Sequence, residues 1–390
     1  MERFLFVGSG EVGQLVVADS PTYGQVVPPE QKKGIVKLRV GRHGQSIESI
    51  GMLELGFHVG WLAQHPHNGC IYGVGSDQCA HAFNVAEDGS LALFSSTSTL
   101  GKSAFLELTP DGRWALVANY SNQILAVLPI NADGKLGDAS DSKLHRVEHK
   151  PELSDRQDAC HPHQVRIDPK TGRWALSCDL GADCVWIYEF DSLKGSLIGA
   201  LNSKRHLLLR KGAGPRHMDF HPLGNWAYIL CELDGNIVVC DWDPGVGQLK
   251  EKQSIYALPD GVACSRAPHS GLSQILVSEN GRNVYVSSRT NNHIVVFKVD
   301  IGTGHLQKIQ SVTSGGICPR NFILDSSSGF PSLRVGNQDS QNIVSFAINP
   351  TTGILLETPQ FLELIGICPQ VVTPTVTPGQ TVLKRTGEVV

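Results

Sequence analysis

One phrase recurs along the chain: a Gly-bearing turn, a short apolar run of β-forming residues, then a polar cluster. Four strong copies are Asp111-Gly112-Arg113-Trp114-Ala115-Leu116-Val117-Ala118-Asn119, Thr171-Gly172-Arg173-Trp174-Ala175-Leu176-Ser177-Cys178-Asp179, Leu223-Gly224-Asn225-Trp226-Ala227-Tyr228-Ile229-Leu230-Cys231-Glu232 and Asn280-Gly281-Arg282-Asn283-Val284-Tyr285-Val286-Ser287-Ser288-Arg289. Weaker copies span residues 68–75 and 330–338, and Phe4-Leu5-Phe6-Val7-Gly8-Ser9 makes a seventh without its turn. From Ser9 to Gln338 the seven copies are about 55 residues apart, the length of a propeller blade of four antiparallel strands. A unit of that size cannot bury both of its faces alone, so the repeat demands a closed stack of like units.

The flanks agree. A β run precedes each internal copy, as in Gln164-Val165-Arg166-Ile167, and another follows, as in Cys184-Val185-Trp186-Ile187-Tyr188. The runs are short, β-branched and aromatic, bounded by Gly, Pro, Asn and Asp. The preceding run is out of phase: its seventh copy is Gly366-Ile367-Cys368-Pro369-Gln370-Val371-Val372, which echoes Gly316-Ile317-Cys318-Pro319-Arg320-Asn321-Phe322. The N-terminal copy lacks a preceding strand and the C-terminal one lacks a following strand. The expectation is therefore an all-β, seven-bladed propeller over residues 1–390, one blade of which is completed by the two chain ends, closing the sheet edges. Residues 9–33 read as an insertion in the first blade and 373–390 as an extended tail.

Composition narrows the partners. Lys and Arg number 33 against 37 Asp and Glu, a net charge of -4, which excludes nucleic acid or an anionic membrane as the main partner. No apolar run reaches the roughly 18 residues of a membrane helix. Ten cysteines lie scattered with no Cys-x-x-Cys pair, and read as reduced, mostly buried thiols of a cytoplasmic protein. Gly8-Ser9-Gly10-Glu11-Val12-Gly13 matches the dinucleotide fingerprint formally, but a β-branched stretch and Pro21 follow instead of a helix, so it reads as a glycine turn at a blade edge. Trp242-Asp243 is a lone dipeptide and not a Trp-Asp repeat array. In His65-Pro66-His67 and His161-Pro162-His163 the central Pro prevents helical ligand spacing, and no metal or other cofactor is expected.

Propellers bind small molecules where strand ends converge on the central channel. Aligning the repeats places Asn119, Asp179, Glu232, Arg289 and Gln338 at one phase. Chemical diversity at one phase suits a site assembled from several blades, and a solvated loop position is the bland alternative. A second set opens the innermost strands: His163, Arg216, Ser270 or Gly271, Arg320 and Gln370. Arginine offers a planar, permanently charged donor for carboxylate or phosphate, so a small anionic substrate is expected. Ion pairs stitching blades together are the structural alternative for Arg216 and Arg320.

Cys160-His161-Pro162-His163, Gly214-Pro215-Arg216-His217-Met218-Asp219-Phe220-His221-Pro222, Cys231-Glu232-Leu233, Ser288-Arg289 and Pro319-Arg320-Asn321-Phe322 together resemble the lactonase family of seven-bladed β-propellers. That family includes bacterial-type 6-phosphogluconolactonase and the fungal carboxy-cis,cis-muconate cyclase. The resemblance implies cofactor-free hydrolysis of a sugar lactone, with a muconate-type cycloisomerase as the alternative. By motif, His163, Arg216, Glu232 and Arg289 match the four residues proposed for the cyclase active site, and Arg320 matches an Arg of the phosphogluconolactonase branch. In that reading His163 is the general base, Glu232 orients it or holds a water or sugar hydroxyl, Arg216 or Arg289 stabilises the oxyanion, and Arg320 helps grip an anionic group. Asn119, Asp179 and Gln338 are further substrate-binding candidates. The chain departs from the family at Gln274-Ile275-Leu276, where many members carry Glu-Ile-His. That departure leaves a third reading open, a non-catalytic binding platform.

Overall fold

In the computed structural model the strands fall into seven sheets, arranged as the repeat requires. It describes residues 2–10, 31–41, 46–147, 156–199, 205–259, 261–264, 271–327, 329–357 and 359–373. Among the described residues there is no helix; six sheets hold four antiparallel strands, and one holds a fifth, short strand, His206–Leu208. We number the blades along the chain. The innermost strands of blades 2 to 7 are Val59–Gln64, Phe105–Leu108, Pro162–Ile167, Pro215–Phe220, Leu272–Val277 and Pro319–Asp325. That of blade 1 is Cys368–Val372, and each of these seven strands packs against the next around a closed ring. Each copy of the recurring phrase forms the second strand of its blade.

Closure occurs as the phase mismatch requires. Arg3–Gly10 lies between Gly34–Val40 and the C-terminal Cys368–Val372, with Gly8 opposite Val371. Gly8, Ser9 and Gly10 are therefore strand residues and not the turn expected from sequence. The strand also moves the start of the expected insertion past Gly10; residues 11–30 of that insertion, and the tail beyond Thr373, lie outside the described residues. Gly8 serves close approach: a Cβ there would lie 2.4 Å from the Val59 carbonyl oxygen and 2.8 Å from Val371 Cγ1. Gly8→Ala is expected to destabilise the protein by about 1–3 kcal/mol through overpacking at the seam, seen as a lower urea midpoint with an unchanged slope.

The core lies between blades. Val239, Tyr228 and Leu230 of blade 5, for example, pack with Ile275, Val286 and Phe297 of blade 6. Side chains of the repeat then bond across the same interfaces. His65 Nε2 meets the Gly112 carbonyl at 2.9 Å and His221 Nε2 that of Gly281 at 3.1 Å. Tyr72 and Tyr285 hydroxyls donate to Gly134 and Gly353 carbonyls at 2.6 and 2.7 Å. His65 and His221 thus bridge neighbouring blades through backbone carbonyls. Trp242, from the lone Trp-Asp dipeptide, donates its indole N–H to Asp168 Oδ1 at 3.0 Å.

Candidate active site

The innermost strands share a local irregularity that builds the site. Each of six inner strands carries one extra residue near its start, a β-bulge against the second strand. The pairing skips Gly60 in blade 2, His163 in blade 4, Arg216 in blade 5, Arg320 in blade 7 and Gln370 in blade 1. In blade 6 the two residues Ser273 and Gln274 occupy the same stretch. A bulge takes a residue out of the ladder and re-aims its side chain, and proteins place bulges beside active sites for that purpose. Here it takes His163, Arg216, Arg320 and Gln370 out of their ladders and brings them to one cavity. In blade 6 the bulge falls at Ser273 and Gln274, beyond the Ser270 or Gly271 expected from spacing; Ser273 Oγ donates to the Arg320 carbonyl at 2.6 Å and does not line the cavity, and Ser270 lies outside the described residues.

Five of the bulged residues, Gly60, His163, Arg216, Arg320 and Gln370, line a cavity of about 360 Å³ that also receives Glu232, Arg289, Gln338, Tyr120, His217 and Arg156. Of the candidates read from sequence, His163, Arg216, Glu232, Arg289, Arg320 and Gln338 thus come together, with Gln370. Asn119 and Asp179 do not line it, because the sequence alignment slips by one residue in blades 3 and 4. Asn119, Asp179, Ser288 and Asn337 close equivalent hairpins, opposite Ile124, Cys184, His293 and Asn342. The true equivalents of Arg289 and Gln338 are therefore Tyr120 and Leu180. Strand side chains alternate, so a slip of one reverses the face. Asn119 instead donates to the Thr99 carbonyl at 2.6 Å and accepts from Ser103 Oγ at 2.8 Å. Asp179 is fully buried, accepting from the His161 N–H at 2.6 Å and the Trp186 indole at 3.2 Å and pairing with His145 Nδ1 at 2.7 Å.

The electrostatics centre on Glu232, the sole carboxylate among the described lining residues. Its Oε1 accepts from Arg156 Nη2 at 2.5 Å and lies 3.0 Å from Arg289 Nη2. Its Oε2 lies 2.8 Å from Arg216 Nε, close but not aligned for a hydrogen bond. Burial pushes the carboxyl up, but Arg289, Arg156 and Arg216 together outweigh it and hold the pKa at about 2. Glu232 therefore stays ionised and serves the arginines. No pairing with His163 occurs among its contacts, so of the two roles expected from sequence, orienting that imidazole is not the one these contacts serve. Arg320 faces Gln370, whose amide oxygen, turned to accept, lies 3.3 Å from Nε and 3.1 Å from Nη2. Four guanidiniums thus surround one carboxylate in a chain whose net charge is -4. A buried excess of positive charge is costly unless an anion joins it.

His163 sits among these cations with 7% of its surface exposed, and its Nδ1 has no hydrogen-bond partner among the described residues. Burial, then Arg216, His217 and Arg320, push its pKa well below the ordinary 6.5, so the imidazole is neutral at pH 7. Its ring meets those of His217 and Tyr120 edge-on, with centroids 5.1 and 5.5 Å away. Sequence reasoning missed Arg156, because it precedes the blade 4 inner strand on a connection with no repeat phase. It also left His217 without a role, although the Gly214-Pro215-Arg216-His217 phrase contained it.

A family model described as lactonase, 7-bladed beta-propeller, matches residues 21–366. The chain is 31% identical to the 6-phosphogluconolactonase of Bacillus subtilis over 65% of its own length and 68% of that protein's. It is 30% identical to the 6-phosphogluconolactonase of Pectobacterium atrosepticum over 85% and 92% of the two chains. Among solved structures, the periplasmic gluconolactonase of Pseudomonas aeruginosa superposes with a TM-score of 0.79 at 26% identity, over 94% of this chain and 98% of that one. The ring of bulged strands and the match over most of the sequence place the chain in the lactonase family of seven-bladed β-propellers.

Proposed function

We propose that this protein hydrolyses a sugar lactone carrying an anionic group, of the 6-phosphogluconolactone kind. The observation that carries this reading is the convergence of Arg156, Arg216, Arg289 and Arg320 with a neutral imidazole, His163, on one cavity. The names of the relatives support the reaction class, and the excess positive charge supports an anionic substrate. His163 takes a proton from water, and the resulting hydroxide adds to the lactone carbonyl carbon. The carbonyl oxygen becomes an oxyanion, stabilised by Arg216 or Arg289. The ring C–O bond then breaks, and the imidazolium returns its proton to the leaving alkoxide, giving an open-chain hydroxy acid. Arg320 and Arg156 are left to hold the anionic tail, while Glu232 keeps the guanidiniums in register. This chemistry runs without a cofactor. A cytoplasmic setting is supported by the ten cysteines, all of them free thiols.

Two measurements test the reading. Released acid, followed on 6-phosphogluconolactone and on neutral gluconolactone, should favour the phosphorylated lactone, and Arg289→Ala should lower its turnover by about 10²–10³-fold, the cost of one oxyanion donor. Loss of a diene chromophore on a muconate, with no acid released from either lactone, would replace this reading with the cycloisomerase. The second measurement is the pH profile. A base whose pKa lies well below 6.5 is already neutral there, so kcat/KM should stay flat as pH falls from about 8 to about 6.5 and decline only in more acidic solution.

A further inference from the structure

We infer that Gln274 is a positioning residue: its amide oxygen fixes His217 as a neutral imidazole protonated at Nδ1, and His217 Nε2 in turn sets the guanidinium of Arg216. The chain of contacts runs from blade 6 to blade 5. Gln274 Oε1 lies 2.6 Å from His217 Nδ1 and also accepts the backbone N–H of Ile275 at 3.2 Å. An atom that accepts from a backbone N–H is the amide oxygen, so its other partner must donate, and His217 carries its proton on Nδ1. The lone pair then resides on Nε2, 3.2 Å from Arg216 Nη1. Nη1 also donates to the Ser273 carbonyl, and Nε faces Glu232. The remaining nitrogen, Nη2, is the donor that this arrangement leaves for an oxyanion in the cavity.

The surroundings hold His217 neutral. It is 2% exposed, and the rings of Trp61 from blade 2, Phe105 from blade 3 and His163 from blade 4 meet it edge-on. Its charged neighbours are Arg216 on its own strand, Glu232 at the end of the second strand of blade 5 and Arg320 from blade 7. Burial, then Arg216, lowers its pKa well below 6.5. A carboxylate at position 274 would reverse this. It would accept from Nδ1–H with a full negative charge and stabilise the imidazolium. The imidazolium would present N–H at Nε2 to the N–H groups of Arg216, two donors face to face, and turn the guanidinium away.

The kinetic consequence rests on the lactonase reading; the tautomer does not, and is measured without substrate. In ¹⁵N-histidine NMR of the full chain, His217 should show a protonated Nδ1 and a bare Nε2 from about pH 5.5 to about pH 8. A proton on Nε2 anywhere in that range overturns the inference, whatever the enzyme turns over. In kinetics, Gln274→Glu should add a second acid limb at higher pH than the wild type's, with kcat falling as pH drops through the raised His217 pKa and recovering above it. Gln274→Met, which keeps the volume and removes the acceptor, should lower kcat at every pH by about 10- to 10²-fold, the cost of misplacing a group near the reacting atoms, with KM less affected. A Gln274→Glu profile that superposes on the wild type would overturn the inference, as would full kcat in Gln274→Met. If neither variant folds, the wild-type tautomer decides.

Discussion

Replacing His163 with alanine is expected to lower kcat for lactone hydrolysis by about 10²–10⁴-fold, the usual contribution of a general base. The expectation rests on geometry. His163 is the bulged residue of its strand, taken out of the ladder, and it lines the cavity. Its Nδ1 has no protein partner among the described residues, whereas the other imidazoles placed by the repeat, such as His65 and His221, meet neighbouring carbonyls. A structural histidine would be engaged in that way. The loss should fall on kcat, because the arginines that bind the anion remain, and the acid limb of the wild-type pH profile should vanish with the group that causes it. Circular dichroism of the variant should match the wild type. Turnover within a few-fold of wild type, in a folded variant, would assign the base elsewhere, with Tyr120 as the next group facing the cavity.

The architecture was readable in the sequence because a propeller states itself once per blade. The turn glycine, the apolar strand and the out-of-phase GICP echo at 316–319 and 366–369 are local signals, and together they fixed closure through Cys368–Val372. The site was readable in part. His163, Arg216 and Arg320 each follow a proline at the start of an inner strand, so a shared spacing revealed them. The bulge that aims them left no sign beyond that spacing. Asn119 and Asp179 were misplaced because polar residues end neighbouring strands at two adjacent positions, and composition cannot tell which of the two faces inward. Pairing register can. Arg156 was out of reach for a different reason: it comes from a connection outside the repeat, and only the fold brings it to Glu232. The Gln274 departure was visible as a difference, but its partner, His217, is 57 residues away and becomes its neighbour only when blades 5 and 6 pack.

Glu232→Gln is expected to destabilise the protein by about 3–5 kcal/mol, the usual cost of removing one member of a buried ion pair. The carboxylate pairs with Arg156, Arg216 and Arg289 at once, and it is 1% exposed. The lowered pKa expresses the same effect. A fall from 4.5 to about 2 on folding corresponds to about 3 kcal/mol of stability. Because the folded value is the lower one, that stability is fully present above pH 4.5 and is lost as pH falls toward about 2. Wild-type urea midpoints should therefore drop across this window, and the variant, lacking the titrating group, should drop less. The decisive comparison is at pH 7. Inorganic phosphate added to Glu232→Gln should restore much of the lost stability by occupying the uncompensated guanidiniums, and should do less for the wild type. A variant as stable as the wild type in phosphate-free buffer would mean that the arginines are balanced without Glu232. The cavity would then hold no stored demand for an anion, and the argument for a charged lactone would lose its electrostatic basis.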